Sequence, residues 1–227
     1  LRFLSFPTWT TDGDKFITSL INQDMKYEDD QAAMYAAQLL QTLGNSGYFI
    51  PGYESLSMGD CVDTFVGGTG AMTYANTGFI HLLTDLYDKD EIGYFGVPVV
   101  EGFENTGSVF PQHGGKSWAF NKKSYESDPI LKDFVKFYLD HVDEESYANG
   151  ALSWMDTPIP ENSLDKMTYD VGMDLQKQTV GWVSWDDKLQ PATLTAISDA
   201  SEQLAKSAIT PEEFAQIFNQ AIIDNNG

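Results

Sequence analysis

Residues 63–79 read DTFVGGTGAMTYANTGF and join the end of one predicted helix to the start of another. The diglycine at 67–68 predicts the end of the first helix, because glycine readily takes the positive φ that a helix C-terminus often needs. Residues 71–75 predict a short buried strand with Met72 in the core, and 76–78 predict a turn. A strand, a turn and a helix in succession are typical of an α/β chain.

The turn after the predicted strand is a candidate ligand site. It precedes a second apolar helix, predicted over 80–86, and it leaves backbone N–H groups and the Phe79 ring facing one space. Such an arrangement suits a neutral polar ligand that also has an apolar face. Joints of this kind are equally common in α/β proteins without any ligand there, so a purely structural role for the turn stays open.

The charge of the chain argues against two classes of ligand. The net charge is −21, and Arg2 is the only arginine. Nucleic-acid binding is not expected, because neutralising phosphates requires clustered lysine and arginine. The shortage of arginine also disfavours an anionic substrate held by bidentate contacts.

Further features limit the class of protein. Cys61 is the only cysteine, so no internal disulfide can form. No apolar run approaches the ~20 residues of a membrane span. Residues 12–14, Asp-Gly-Asp, match the start of a calcium loop but lack its later ligands, so neither a metal site nor a cofactor is predicted. The chain begins at Leu1 without a methionine or a signal peptide, which indicates a fragment or a trimmed chain.

Helical periodicity and capping residues predict helices along much of the chain. One begins with Pro129 at its first position and runs to about Leu139. Its predicted buried stripe is Leu131, Phe134, Val135, Tyr138 and Leu139. Strands are predicted at 92–100 and 118–120, and residues 1–14 are rich in turn signals. The other predicted helices are 27–43, 59–66, 164–176, 191–207 and the residues after Thr210.

Four sequence signals, in chain order, resemble those of one protein family. Residues 65–72 resemble its F-x-x-G-x-x-A-M box, and the turn at 76–79 resembles the N-G-x-W turn that follows, with Phe79 in place of tryptophan. Residues 92–121 resemble a strand pair, 128–139 a packed helix, and 210–227 the common C-terminal ending. By these motifs the chain resembles the C-terminal part of the extracellular solute-binding proteins of ABC sugar importers, in the maltose-binding-like group.

The resemblance implies an α/β fold of the two-lobed, class II type found in periplasmic binding proteins. It implies that this chain is a C-terminal fragment lacking much of the first lobe. Residues 1–93 and 161–227 would belong to the second lobe, and 94–160 to the first. In such a fragment the helix beginning at Pro129 would lack part of its packing partner, so we expect self-association.

The function implied by the resemblance is binding without catalysis. An oligosaccharide or other sugar would be held in a cleft between lobes that close by hinge motion, and would be delivered to the permease subunits of an ABC transporter. The full-length protein would be an extracellular, membrane-anchored lipoprotein or a periplasmic protein. Two alternatives stay open: a glycoside hydrolase fragment that uses a carboxylate pair such as Asp186 with Glu101, and a lectin-like surface module.

Two kinds of side chain are candidates for contact with a sugar. Aromatic rings can stack on its apolar face, and polar groups can pair with its hydroxyls. The aromatic candidates are Phe3, Phe79, Trp154, Trp182 and Trp185. The polar candidates are Asn76, Gly115, Lys116 and Asp186. Any of the rings could instead fill core. Trp185 lies in a predicted loop, so we expect it to contribute to affinity rather than stability.

Overall fold

The computed structural model describes residues 2–11, 13–103, 110–111, 119–153, 158–160, 162–178 and 184–225. Within these ranges helices dominate the secondary structure. The α-helices are α1 Arg2–Thr11, α2 Lys15–Ile21, α3 Gln31–Asn45, α4 Met58–Val66, α5 Thr84–Asp88, α6 Lys122–Ser127, α7 Pro129–Ala148, α8 Lys166–Gln176, α9 Trp185–Lys188, α10 Pro191–Ala205 and α11 Pro211–Asn225. Short 3₁₀ helices cover Tyr27–Asp29, Tyr53–Ser55 and Thr77–Leu82.

The predicted strands are not found in the described residues. Residues 71–75 and 119–120 carry no strand, and 92–100 shows only an isolated bridge at Val97. Short apolar runs have strand character only when a neighbouring strand accepts and donates their backbone hydrogen bonds, and no such ladder forms here among the described residues. The α/β class is therefore not confirmed.

The chain divides into two compact units. Unit 1 comprises Leu1–Ser55, Phe95–His113 and Val180–Gly227, and unit 2 comprises Leu56–Tyr94 and Gly114–Thr179. The assignment of segments to the lobes of a longer protein stays a prediction.

Unit 1 is built around α3, α10 and α11, with α1 against α3. The alanine-rich face of α3 lets its neighbours approach closely, and Gly44 marks the closest contact. A Cβ placed on Gly44 would lie 1.8 Å from the carbonyl oxygen of Ala205. Aromatic rings fill the centre, where Tyr27 meets Phe214 edge-on with ring centroids 5.4 Å apart. The hydrophobic cluster at the centre of unit 1 is larger than the one at the centre of unit 2.

The N-terminal segment is helical where turns were expected. α1 contains Pro7, whose missing N–H removes one helical hydrogen bond. Threonine hydroxyls after it donate to backbone carbonyls, Thr8 to Ser5 at 2.9 Å and Thr10 to Pro7 at 3.0 Å. Burial favours the helix over turns, because α1 places the Leu4 and Trp9 side chains in the interior.

In unit 2 the 3₁₀ helix Thr77–Leu82 and α5 pack against α8, and α4 packs against the 3₁₀ helix. Its buried centre consists of Val62, Ile80, Leu83, Met167 and Val171. The predicted helix over 164–176 is confirmed as α8, and Gly172 within it has a packing role. A Cβ there would approach the Ile159 and Leu152 side chains to 2.5 and 2.6 Å.

Two tyrosines, one in α5 and one in the chain after it, attach these segments to one face of α8. The Tyr87 hydroxyl donates to Asp170 at 2.9 Å, and the Tyr94 hydroxyl donates to Asp174 at 2.7 Å. Burial, followed by the bond to Asp174, raises the pKa of Tyr94. Lys177 and then Tyr94 lower the pKa of Asp174. Each hydroxyl is therefore held in its neutral, donating form.

Tyr94→Phe tests this attachment through its pH dependence. In the wild-type chain the raised pKa of Tyr94 stabilises the fold fully below the unfolded value near 10, and that stabilisation is lost as pH rises through the folded value. We expect Tyr94→Phe to cost about 1 kcal/mol at pH 7 and to flatten the fall in unfolding free energy above pH ~10. Urea titrations across pH measure both effects.

Tyr48→Phe is the matched control for Tyr94→Phe, because Tyr48 is 74% exposed. It should leave both the free energy of unfolding and its pH dependence as in the wild type. If the free energy of unfolding falls as steeply above pH ~10 in Tyr94→Phe as in the wild type, the Tyr94–Asp174 bond does not stabilise the fold.

α7 carries an uncovered apolar face. Ile130, Phe134, Phe137 and Leu139 are 79%, 57%, 61% and 59% exposed, whereas Val135 is 6% exposed. Of the predicted buried stripe, Val135 is buried and Leu131 and Tyr138 are half-buried, whereas the prediction is wrong for Phe134 and Leu139, which are exposed. The cap at the start of α7 is as predicted: Asp128 accepts from Ile130 N–H at 2.9 Å, and Pro129 follows.

The uncovered face predicts concentration-dependent self-association of the 227-residue chain. The variant Phe134→Ser with Phe137→Ser should lower the mass measured by light scattering toward that of the monomer, since it removes two exposed rings. Tyr48→Ser removes an exposed ring from unit 1 and serves as control. A wild-type chain that stays monomeric at millimolar concentration would contradict the expectation.

Candidate ligand-binding surface

Helix α4 sets the position of the candidate surface in unit 2, and both of its ends are capped. At the start, Ser57 Oγ accepts from Asp60 N–H at 3.2 Å while Asp60 accepts from Ser57 N–H at 2.8 Å. At the end, Gly68 has φ +76°, Gly68 N–H donates to Phe65 O and Thr69 N–H donates to Thr64 O. This pattern is a Schellman motif, so the diglycine stop is confirmed.

The stretch after the motif presents alternate side chains to solvent. Met72 is 77% exposed and Tyr74 38% exposed, and Asn76 is exposed as well, whereas Thr73 and Ala75 are half-buried. This two-residue period is that of an extended chain with one face against the core. The prediction that Met72 is core is therefore wrong. We call Met72, Tyr74 and Asn76 the exposed row.

Asn76 both ends the row and starts the next helix. Its side-chain oxygen accepts from Gly78 N–H at 2.9 Å, which caps the 3₁₀ helix Thr77–Leu82. Its amide nitrogen donates to the Met58 sulphur at 3.6 Å. One lone pair and one N–H of this exposed amide stay open to solvent, so Asn76 can pair with a hydroxyl group without leaving its cap.

Phe79 lies beside the row but is held by the core of unit 2. The ring is half-buried, packs on the Val62 cluster and would lie 3.7 Å from a Cβ on Gly59. The predicted helix over 80–86 is realised as the 3₁₀ helix followed by α5. Phe79 therefore supports the row and exposes only part of its ring.

A second apolar surface of unit 2 lies on α7. The rings of Phe137 and His141 stack with centroids 4.3 Å apart. They line an open groove of about 300 Å³ that continues to Val142 and Ala151. Because aromatic rings are exposed both here and on the row, an experiment that locates a ligand has to separate the two surfaces.

Trp185 is a core side chain rather than an exposed loop residue. It begins α9 and is 1% exposed, with the Phe16 and Phe218 ring centroids at 5.5 and 5.7 Å. An ion pair of 2.9 Å between Lys188 and Asp14 fastens α9 to the start of α2. Neither face of the indole is open to a sugar, so the structure contradicts the expected stacking role.

The other predicted contacts are distributed between the units. Phe3 is half-buried in α1 and contacts Phe6, with ring centroids 5.9 Å apart. Asp186 is half-buried in α9 and accepts a hydrogen bond from the Ser184 hydroxyl. Both belong to unit 1, whereas Asn76 and Phe79 lie together in unit 2. Gly115, Lys116, Trp154 and Trp182 lie outside the described residues.

Tyr74 and Met72 are the candidates that sequence reasoning missed. The signal lies in residues 72–76, where the long side chains of Met72 and Tyr74 and the amide of Asn76 alternate with the smaller Thr73 and Ala75. Ala71, Met72 and Ala75 are apolar, so the same residues also fit the short buried strand that the sequence predicts. Alternation of this kind is typical of a stretch with only one buried face.

The described residues restrict the chemistry of the surface. They contain no group of three or more His, Cys, Asp or Glu side chains placed to hold a metal ion. Among the described helices, none combines the length and the apolar character that crossing a bilayer requires. The Ser57 hydroxyl, and then its backbone N–H, hold the pKa of Asp60 below its usual range, so the carboxylate beside the row is ionised at neutral pH.

Trp185→Ala should destabilise the unliganded chain by about 3–5 kcal/mol, because it leaves a cavity among packed rings. Trp185→Phe keeps most of that packing and should cost less than half as much. Thermal and urea unfolding without ligand measure both. A Trp185→Ala chain with an unchanged melting temperature would show that the ring does not support the unit 1 core.

Comparison with known proteins gives a match in structure but none in sequence. No family model matches the chain, and no curated protein matches its sequence. Among solved structures, one described as a chitin oligosaccharide binding protein is similar, with a TM-score of 0.74 and 20% sequence identity. The similarity covers 99% of this chain and 56% of that one, so this chain spans little more than half its length. The chain therefore shares its fold with part of a chitin oligosaccharide binding protein.

Proposed function

We propose that the protein binds an oligosaccharide and performs no catalysis. The observation that carries the proposal is the shared fold, which extends over 99% of this chain and belongs to a protein described as binding chitin oligosaccharides. Because one fold hosts many functions, the proposal also needs a surface with suitable chemistry. The exposed row of unit 2 supplies one.

The row offers the two contacts that a sugar requires. Tyr74 and Met72 present apolar surface to the C–H face of a ring, and the Asn76 amide presents a donor and an acceptor to its hydroxyls. A sugar covering a quarter to a third of an aromatic ring would gain about 1–2 kcal/mol. Three such side chains in succession can contact neighbouring sugar units rather than one.

The finer parts of the proposal rest on the sequence motifs. The box at 65–72 and the turn at 76–79 resemble those of solute-binding proteins of ABC sugar importers. We therefore propose that the longer protein encloses the sugar between two lobes and delivers it to permease subunits. It would act outside the cytoplasmic membrane, as a lipoprotein or in a periplasm.

Saturation-transfer NMR with a chitin tetrasaccharide tests the proposal and locates the ligand. We expect millimolar binding by the wild-type chain and at least tenfold weaker binding by Tyr74→Ala, since the row loses its ring. Phe137→Ala on α7 and Tyr48→Ala in unit 1 are controls for the loss of an exposed ring, and both should bind as the wild type does.

Three results would contradict the proposal in distinguishable ways. No saturation transfer to either a chitin or a maltose-type tetrasaccharide would reject carbohydrate binding. Loss of binding in Phe137→Ala with retention in Tyr74→Ala would move the site to the α7 groove. Shorter oligosaccharides appearing on incubation, detected by chromatography, would identify an enzyme instead.

A further inference from the structure

Met72 is the methionine that the described part of the chain leaves open to solvent. It is 77% exposed, whereas the other described methionines are half-buried or buried. These are Met25, Met34, Met58, Met167 and Met173. A dissolved oxidant has to reach a sulphur atom in order to react with it, so exposure directs the reaction to Met72.

Met58 also borders the row, but its sulphur is already engaged. The residue is half-buried, and its sulphur accepts a hydrogen bond from the Asn76 amide at 3.6 Å. A peroxide reacts with a sulphur lone pair, and this contact occupies one of them and blocks the approach from the Asn76 side. The two thioethers should therefore oxidise at different rates.

Oxidation of Met72 would change the chemistry of the row itself. In an extended chain, residues two positions apart lie on the same side at a spacing of about 7 Å, which places Met72 next to Tyr74. A sugar chain that packs on the Tyr74 ring and continues to Met72 covers both apolar side chains with its C–H groups. A sulfoxide puts a strongly hydrated oxygen beneath those groups, and covering that oxygen without a hydrogen bond is unfavourable.

We propose that Met72 is a reversible oxidation site whose sulfoxide weakens oligosaccharide binding at the exposed row. The inference rests on the proposed function and adds a regulatory site to it. In the reaction a lone pair of the sulphur attacks one oxygen of a peroxide, the O–O bond breaks and an S–O bond forms. The sulphur is oxidised, and hydrogen peroxide is reduced to water. A methionine sulfoxide reductase reverses the change with two electrons from a dithiol, which becomes a disulfide as the oxygen leaves in water.

Peptide mass mapping of the whole chain measures where the oxygen enters. After brief treatment with hydrogen peroxide at neutral pH, we expect Met72 sulfoxide to form at least fivefold faster than Met58 sulfoxide. The melting temperature should stay that of the untreated chain, because most of the Met72 side chain lies outside the core. If Met58 is oxidised as fast as Met72, the assignment of the site to Met72 is wrong.

NMR titration with chitin and maltose-type tetrasaccharides measures the effect on the row. We expect the dissociation constant of the better-bound tetrasaccharide to rise about fivefold once Met72 is oxidised. A thiol reductant alone should not restore it, whereas methionine sulfoxide reductase together with that reductant should. These two treatments distinguish a sulfoxide from an oxidised thiol at Cys61, which is half-buried on α4.

Three variants assign the effect, and each is compared with itself before and after treatment. Met72→Leu keeps an apolar side chain without sulphur, so peroxide should not change its dissociation constant. Met58→Leu and Cys61→Ser both retain Met72, so each should show the same fivefold rise as the wild type.

The contrary results are distinguishable from a failure of the proposed function. An unchanged dissociation constant in a chain whose Met72 is fully oxidised would overturn the inference and leave carbohydrate binding standing. A rise that persists in Met72→Leu would assign the sensitivity to another side chain and would also overturn the inference. An untreated chain that binds neither tetrasaccharide would reject the proposed function and the inference together.

Discussion

Backbone hydrogen bonding is the constraint on which the described structure depends. A helix satisfies its N–H and C=O groups within its own segment, whereas a strand needs a partner at the right distance. The described residues obtain their bonds from helices, caps and turns, and residues 71–76 are left extended with one side against the core. The same constraint exposes Met72 and Tyr74, which would be covered if a strand and its neighbours closed over them.

Helix caps satisfy the backbone groups on both sides of the surface that we propose as a binding site, and so fix its position. Ser57 with Asp60 fixes the start of α4, and Gly68 turns the chain out of its end. Asn76 then returns the chain to the core by capping the next helix, which places Phe79 against Gly59. The capping side chains that bond the N–H groups of Ser57, Asp60 and Gly78 are therefore also the ones that hold the row in place.

Local sequence signals predicted the helix starts and ends that are determined by local hydrogen bonds. The Pro129 start of α7 and the diglycine stop of α4 are as expected, and α11 begins after Thr210, which forms a capping box with Glu213. Burial could not be predicted in the same way. Trp185 lies between turn signals and reads as a loop residue, yet rings from α2 and α11 enclose it. Helical periodicity predicts that Phe134 is buried, yet it is exposed. Periodicity identifies the apolar face of a helix but not whether another element covers it.

The amount of surface on the row limits what this chain can do alone. Two apolar side chains worth about 1–2 kcal/mol each, with one amide, give contacts worth about 4 kcal/mol, and the freedom lost on association offsets part of this, so the row alone binds no more tightly than millimolar. Tighter binding requires a second wall that covers the other face of the sugar. The similar structure has nearly half its length beyond the part matched here, so the same fold accommodates further chain. An open row therefore contacts one face of the sugar, while the affinity of a longer protein would come from enclosure.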